Sequence, residues 1–371
     1  MLPLRLSAAG TLLAGLLFAL PIPILKHTTK AEYFLYVASK AKQGIYLYRF
    51  DSSGPSLTPQ GSAGGFVAAL PGVTAFAAHP SNKFLYAATA QATISSFAIH
   101  KDSGELRLLT TVESTRKEPC FATVEKKGWM LLVSFCGSGN IESFRIEGDG
   151  ALGESTGVQQ HEGANAHPRN IAISPDNFFI FIPDLDKVFQ YRFDPNRAAF
   201  WPNDPATAAM KAGSGAGRMI FRPDEKFAYV ADEAGASVAT FSYNRDAGKL
   251  KPVDSVSVAG NAAAIDGAIE IDPSGRFLYL ANPGANHITV LAIEHGKGTA
   301  KVIGQVPADR INRLRIDPTG RYLFAISQAS NRIVIFETDP KTGLPAPAGK
   351  PVEVPDPSCF QLLPIFSDNL R

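Results

Sequence analysis

The chain has 371 residues, of which 45% are apolar and 19% charged, with 36 basic and 34 acidic side chains for a formal net charge of +2. That apolar content can bury a sizeable core and excludes disorder as the main state, while the near-balance of charge gives no electrostatic case for nucleic acid or an anionic membrane surface. The 32 glycines and 27 prolines are spread along the chain, which points to many short strands and turns and excludes collagen and coiled-coil organisation.

Residues 1–30 read as an export signal or an N-terminal anchor. One cation, Arg5, precedes residues 8–25, which are apolar apart from Thr11 and are interrupted by Pro21 and Pro23; Lys26, His27 and Lys30 come after them. A short cationic start before an apolar stretch is the pattern of a secretory leader, and the two prolines make its last turns poor helix. The expected location is periplasmic or extracellular, with the leader as the one membrane contact. The three cysteines, Cys120, Cys136 and Cys359, are odd in number and lack metal-ligand spacing. They predict neither a disulfide framework nor a zinc site, so an exported fold has to be held by its core.

From residue 31 onward one unit recurs every ~45–50 residues, the period of propeller blades. Its centre is an apolar strand: FLYVAS from Phe34, FLYAAT from Phe84, MLLVSF from Met130, FIFIPD from Phe179, FAYVAD from Phe227, FLYLAN from Phe277 and YLFAIS from Tyr322. Proline-containing turns such as Asp272-Pro273-Ser274-Gly275 and Asp317-Pro318-Thr319-Gly320 precede most of them; proline presets φ at the second turn position, and Asp, Asn or Gly tolerate the later ones. An alternating strand comes next, as in GIYLYRF, TISSFAI and HITVLAI, the period-two pattern of a strand with one buried face. A second turn, such as Asp102-Ser103-Gly104, and a polar fourth strand complete the unit.

Four antiparallel strands repeated seven times without intervening helix predict an all-β, seven-bladed propeller over residues 31–371. The first unit begins at its central strand. The missing strand is found at the other end of the chain, where Pro357-Ser358-Cys359-Phe360-Gln361-Leu362-Leu363 reads like the other first strands. The C-terminus is therefore expected to complete blade one and close the ring.

Departures from the repeat locate the candidate site. Blade four opens His167-Pro168-Arg169-Asn170 and its central strand ends at Asp184; blade five opens with Gly217-Arg218 and its central strand ends Asp232-Glu233. Asp266 precedes the first strand of blade six, Asn282 ends that blade's central strand, and blade seven opens with Arg310, Asn312 and Arg313. Charges at equivalent strand ends cost desolvation unless paired or used. Arginines there suit a carboxylate or phosphate, and His167 beside a carboxylate suits proton transfer. Blade-to-blade ion pairs are the structural alternative for the same residues. The remaining histidines, His27, His79, His100, His161, His287 and His295, share no spacing and are expected to be solvated. The Gly137-Ser138-Gly139 loop joins two strands and lacks the helix N-terminus of a phosphate site. No cofactor is implied, and no metal site is evident beyond the capacity of carboxylates such as Asp184 and Asp232 for a hard cation.

These turns, strands and the C-terminal closure resemble the seven-bladed propeller lactonase family, which includes propeller-type bacterial 6-phosphogluconolactonases and fungal carboxy-cis,cis-muconate cyclases. The resemblance spans residues 33–365 and is most specific over 34–50, 166–194, 215–241, 269–282 and 316–343. It implies that a histidine opening blade four, an arginine opening blade five and a glutamate ending that blade's central strand are catalytic or substrate-binding groups; His167, Arg218 and Glu233 look like those three. The chain departs from the family pattern at Gly217, Met219, Pro283 and Ile311-Asn312. The expected activity is hydrolysis of a sugar or organic-acid lactone, catalysed by His167, Glu233 and Arg218 on a small anionic substrate held by Arg169, Asp184, Asp232, Asp266, Asn282 and Arg313. A muconate-type cycloisomerase and a non-catalytic binding propeller are the competing readings, and export disfavours a phosphorylated lactone.

Overall fold

The computed structural model describes residues 32–365 apart from 164–165, 233, 235, 259–267, 283 and 285; at Ala63 and Asn282 the backbone alone is described. The N-terminal stretch read as a leader lies outside them. The described residues form seven antiparallel sheets, each a meander of four strands with one extra strand in the first. The one helical element among them is a single 3₁₀ turn, Ala63–Gly65. The chain is an all-β, seven-bladed propeller, as the repeat predicts.

The proline turns work through their carboxylates. Asp272 Oδ1 accepts from the Phe277 N–H at 2.6 Å and Asp317 Oδ1 from the Tyr322 N–H at 2.7 Å, each fixing the entry into a central strand. The central strands themselves are buried on both faces, which is why they read as continuous apolar runs rather than alternating ones.

Adjacent blades are latched by an aromatic-to-turn contact. The Tyr36 hydroxyl of blade one donates to the Gly104 carbonyl of blade two at 2.6 Å; Tyr86 reaches Gly150 at 3.3 Å, and Tyr229 reaches Gly298 at 2.8 Å. Gly104 and Gly298 each sit at φ +72°, which admits glycine readily. A Cβ at Gly298 would come within 2.4 Å of the Phe227 ring. The Asp-x-Gly turn and the central aromatic residue are therefore two halves of one interface.

Ring closure is antiparallel pairing of Pro357–Pro364 with Glu32–Ser39, in the register Tyr33↔Pro364 through Ala38↔Cys359. The seam to blade seven is a packed cluster. Phe50 lies edge-on to Tyr322 and Phe324 at 5.0 and 4.9 Å, the Tyr33 hydroxyl donates to Asp317 Oδ2 at 2.8 Å, and Tyr322 donates to the Ser52 carbonyl at 3.1 Å.

Candidate active site

The first strands of the blades line the central channel, and their opening residues meet at one mouth. There a funnel of about 570 Å³ is walled by the start of blades two, three, four, five and seven and by the closing strand of blade one. His167, Arg169, Arg218 and Arg313 all line it, so residues from blades four, five and seven share one space. Lys40, Glu118 and Gln328 join them. Four cationic side chains and one carboxylate are thus among the described lining residues.

His167 is held from two sides. Its backbone N–H donates to Asp184 Oδ1 at 2.8 Å, and its Nδ1 lies 2.9 Å from the Cys136 carbonyl. A carbonyl only accepts, so Nδ1 carries a proton, and in the neutral ring the lone pair then sits on Nε2. That is the tautomer a general base needs.

Asp184 is buried, with its second oxygen 2.7 Å from His161 Nδ1. His161 is itself buried and stacked on Phe189 with 3.7 Å between ring centroids. The expectation of a solvated His161 is therefore corrected: the ring is enclosed, with Asp184 meeting its Nδ1 and Phe189 its face, while Nε2 is buried without a hydrogen-bond partner. Asp184 is placed to support both histidines. Asp232 is likewise buried and accepts from Ser237 Oγ at 2.9 Å. Glu233 and Asp266 lie outside the described residues, as does the Asn282 side chain.

Blade four also steadies blade five. Asn170 Oδ1 accepts from the Met219 N–H at 3.0 Å, next to Arg218, whose guanidinium lies 5.7 Å from the Phe121 ring centre. Arg313 bonds the Asn312 carbonyl at 2.9 Å.

The expectation of no disulfide framework, with the fold held by its core, meets one bridge. Cys120 and Cys136 form a disulfide, with Cα atoms 5.9 Å apart. They open the inner strand and close the central strand of the same blade, and the antiparallel pairing with its irregularity at Ser134/Phe135 brings them together. A strand-turn-strand spacing has no resemblance to a metal or framework pattern, so counting cysteines could not find it.

Below the mouth the channel narrows to about 80 Å³, where Arg218, Arg313 and Arg315 surround Glu270. Glu270 Oε1 is 3.4 Å from Arg315, and its other oxygen is 3.4 Å from the Ile316 N–H. The sequence signal was a lone charge inside Ile269-Glu270-Ile271. Burial pushes its carboxyl up, against the opposing pull of Arg315, the Ile316 N–H and Arg218. A carboxyl raised on folding is held more tightly by the folded state, so its contribution to stability declines as pH climbs above the ordinary carboxylate range. Glu270→Gln removes that slope. Its melting temperature relative to the wild type is expected to increase as pH rises above about 4.5; an offset that stays constant with pH would contradict the shift.

The comparisons with known proteins agree with this architecture. The family described as "Lactonase, 7-bladed beta-propeller" matches residues 34–362. A 6-phosphogluconolactonase of Bacillus subtilis is 27% identical, over 90% of this chain and 99% of its own length. A solved structure from Bacteroides fragilis, described as a candidate 6-phosphogluconolactonase, is 27% identical with a TM-score of 0.81, covering 91% of this chain and 99% of that one. The periplasmic gluconolactonase of Pseudomonas aeruginosa, 24% identical with a TM-score of 0.81 over 90% of this chain and 99% of its own, shares the fold. With its seven blades, its closing strand and a match running nearly end to end, the chain belongs to the seven-bladed beta-propeller lactonase family.

Proposed function

We propose that the funnel hydrolyses the lactone of a small anionic sugar or organic acid, in the manner of a 6-phosphogluconolactonase. The observation that carries this reading is the 2.9 Å contact of His167 Nδ1 with the Cys136 carbonyl, which leaves Nε2 for the substrate, in a mouth lined by Lys40, Arg169, Arg218 and Arg313. His167 Nε2 takes a proton from water as the water oxygen attacks the lactone carbonyl. A guanidinium stabilises the resulting oxyanion. Collapse of the tetrahedral intermediate breaks the ring C–O bond, and His167 returns the proton to the leaving alkoxide, giving the hydroxy acid. Glu233, which follows Asp232 in the sequence, is the second candidate base. Export through residues 1–30 is part of the proposal and is checked by fractionating cells that express the full chain.

A pH-stat panel of γ- and δ-lactones, including phosphorylated and unphosphorylated sugar δ-lactones, tests the reading. Turnover of one class is expected. A folded sample inert toward all of them would overturn it in favour of a binding propeller. Within that panel, Arg218→Ala is expected to raise KM about tenfold or more while kcat changes less, because a guanidinium that grips a remote anionic group contributes equally to ground and transition states. A fall in kcat at constant KM would instead assign Arg218 to the oxyanion.

A further inference from the structure

The disulfide belongs to the site as much as to the fold. The strands that carry Cys120 and Cys136 are already joined by backbone pairing, and the corner is tied again by the Cys136 N–H to the Glu118 carbonyl at 2.9 Å and the Gly137 N–H to the Lys117 carbonyl at 3.2 Å. What the sulfur bridge adds points outward, to the neighbouring blade. The Cys120 and Cys136 sulfurs lie 3.3 and 3.4 Å from the Pro168 carbonyl oxygen, and the backbone carbonyl of Cys136 accepts from His167 Nδ1 at 2.9 Å. Both cysteines line the funnel beside His167.

We propose that the Cys120–Cys136 disulfide is a positioning element for His167: its two sulfurs pack on the Pro168 carbonyl and seat the His167-Pro168 segment against the Cys136 corner, so that the imidazole holds Nδ1–H engaged and presents Nε2 to the funnel. Once the bridge is lost, the backbone bonds still hold the Cys136 corner, but the paired sulfurs no longer pack on the Pro168 carbonyl, so the His167-Pro168 segment can shift and the ring can exchange tautomer and rotate. Misplacing a catalytic group by about an ångström is enough to slow chemistry greatly. The inference rests on His167 acting as the base, but its structural half stands on the imidazole alone.

The test compares wild type with the Cys120→Ala/Cys136→Ala double variant. A reversible arm reduces the wild type with dithiothreitol, which delivers two electrons and two protons to the sulfurs and closes to its own cyclic disulfide. Cys359 does not confuse that arm: it is buried, and burial pushes its thiol up to about 12. A thiol count in denaturant should give one thiol before reduction and three after; three before reduction would overturn the proposal. With the bridge removed, kcat is expected to fall about ten- to a hundredfold with KM little changed, and the imidazole nitrogen-15 signals of His167 should move from a single Nδ1–H tautomer to an averaged pair. Unchanged kcat and unchanged imidazole signals, with only a lower melting temperature, would make the bridge purely structural. If no lactone is turned over by any form, the nitrogen signals still decide the positioning claim.

Discussion

A chain ending at Asp356 is expected to lose its cooperative melting transition, to bind hydrophobic dyes and to aggregate. The deleted strand supplies the inner edge of blade one, so Glu32–Ser39 would be left with a row of backbone donors and acceptors unpaired. Cys359, Leu362 and Leu363, each buried, would go with it. Burial of one such aliphatic side chain contributes about 1.5–3 kcal/mol, and the whole stability of a domain is about 5–15 kcal/mol. Two leucines and a strand pairing together approach that margin. The loss also reaches blade two, because Ser358 Oγ bonds the Val73 carbonyl at 2.8 Å. A milder version calibrates the result: Leu362→Ala is expected to cost about 2–5 kcal/mol while leaving a single transition. Circular dichroism and calorimetry read both. A truncated chain that melts at the wild-type temperature would mean that the ring does not depend on this strand.

How much of the molecule was legible in the sequence depends on whether the signal repeats. The central strands, the proline turns and the displaced first strand could be aligned against six other copies, so even the closing strand was found from Pro357-Ser358-Cys359-Phe360. The mouth was half legible for the same reason. His167, Arg169, Arg218 and Arg313 break the repeat at its equivalent ends, and the propeller brings all four into one funnel. Lys40, Glu118 and Gln328 escaped because they occupy loops where polar residues are ordinary. Asp184 was correctly placed at the end of its strand but not in direction; the strand is buried on both sides there, and its carboxylate turns inward to His161 and the His167 N–H. His161 looked solvated because nothing local shows that Phe189, far along the chain in the next blade's strands, provides a stacking face. Glu270 offered the clearest missed clue, a charge between two isoleucines, matched at the equivalent position of the next blade by the opposite charge of Arg315. Its meaning came only when Arg315, from the next blade, was found against it.

The two histidines that share Asp184 make opposite predictions, and these separate chemistry from architecture. His167→Ala is expected to lower kcat/KM for any lactone by about 10²–10⁴-fold. Its melting temperature should barely move, with a cost within about 1 kcal/mol. Alanine keeps the backbone N–H that Asp184 accepts, and the ring it removes is only half-buried at a funnel wall. His161→Ala should do the reverse. It strips a fully enclosed ring from Phe189 and leaves a buried carboxylate short of its 2.7 Å partner, which costs about 2–4 kcal/mol. Whatever activity survives should then track the folded fraction. Steady-state kinetics on both variants, each with a thermal melt, reads the contrast directly. If His167→Ala retained wild-type turnover, the proton would have to be taken elsewhere; Glu233, the second candidate base, would be the next group to replace, and after it Glu118, the one carboxylate among the described lining residues of the mouth. If both variants lost stability equally, His167 would be one more member of the buried network around Asp184. Its exposure to the funnel argues for the first outcome, because the enclosed and stacked histidine of the network around Asp184 is His161.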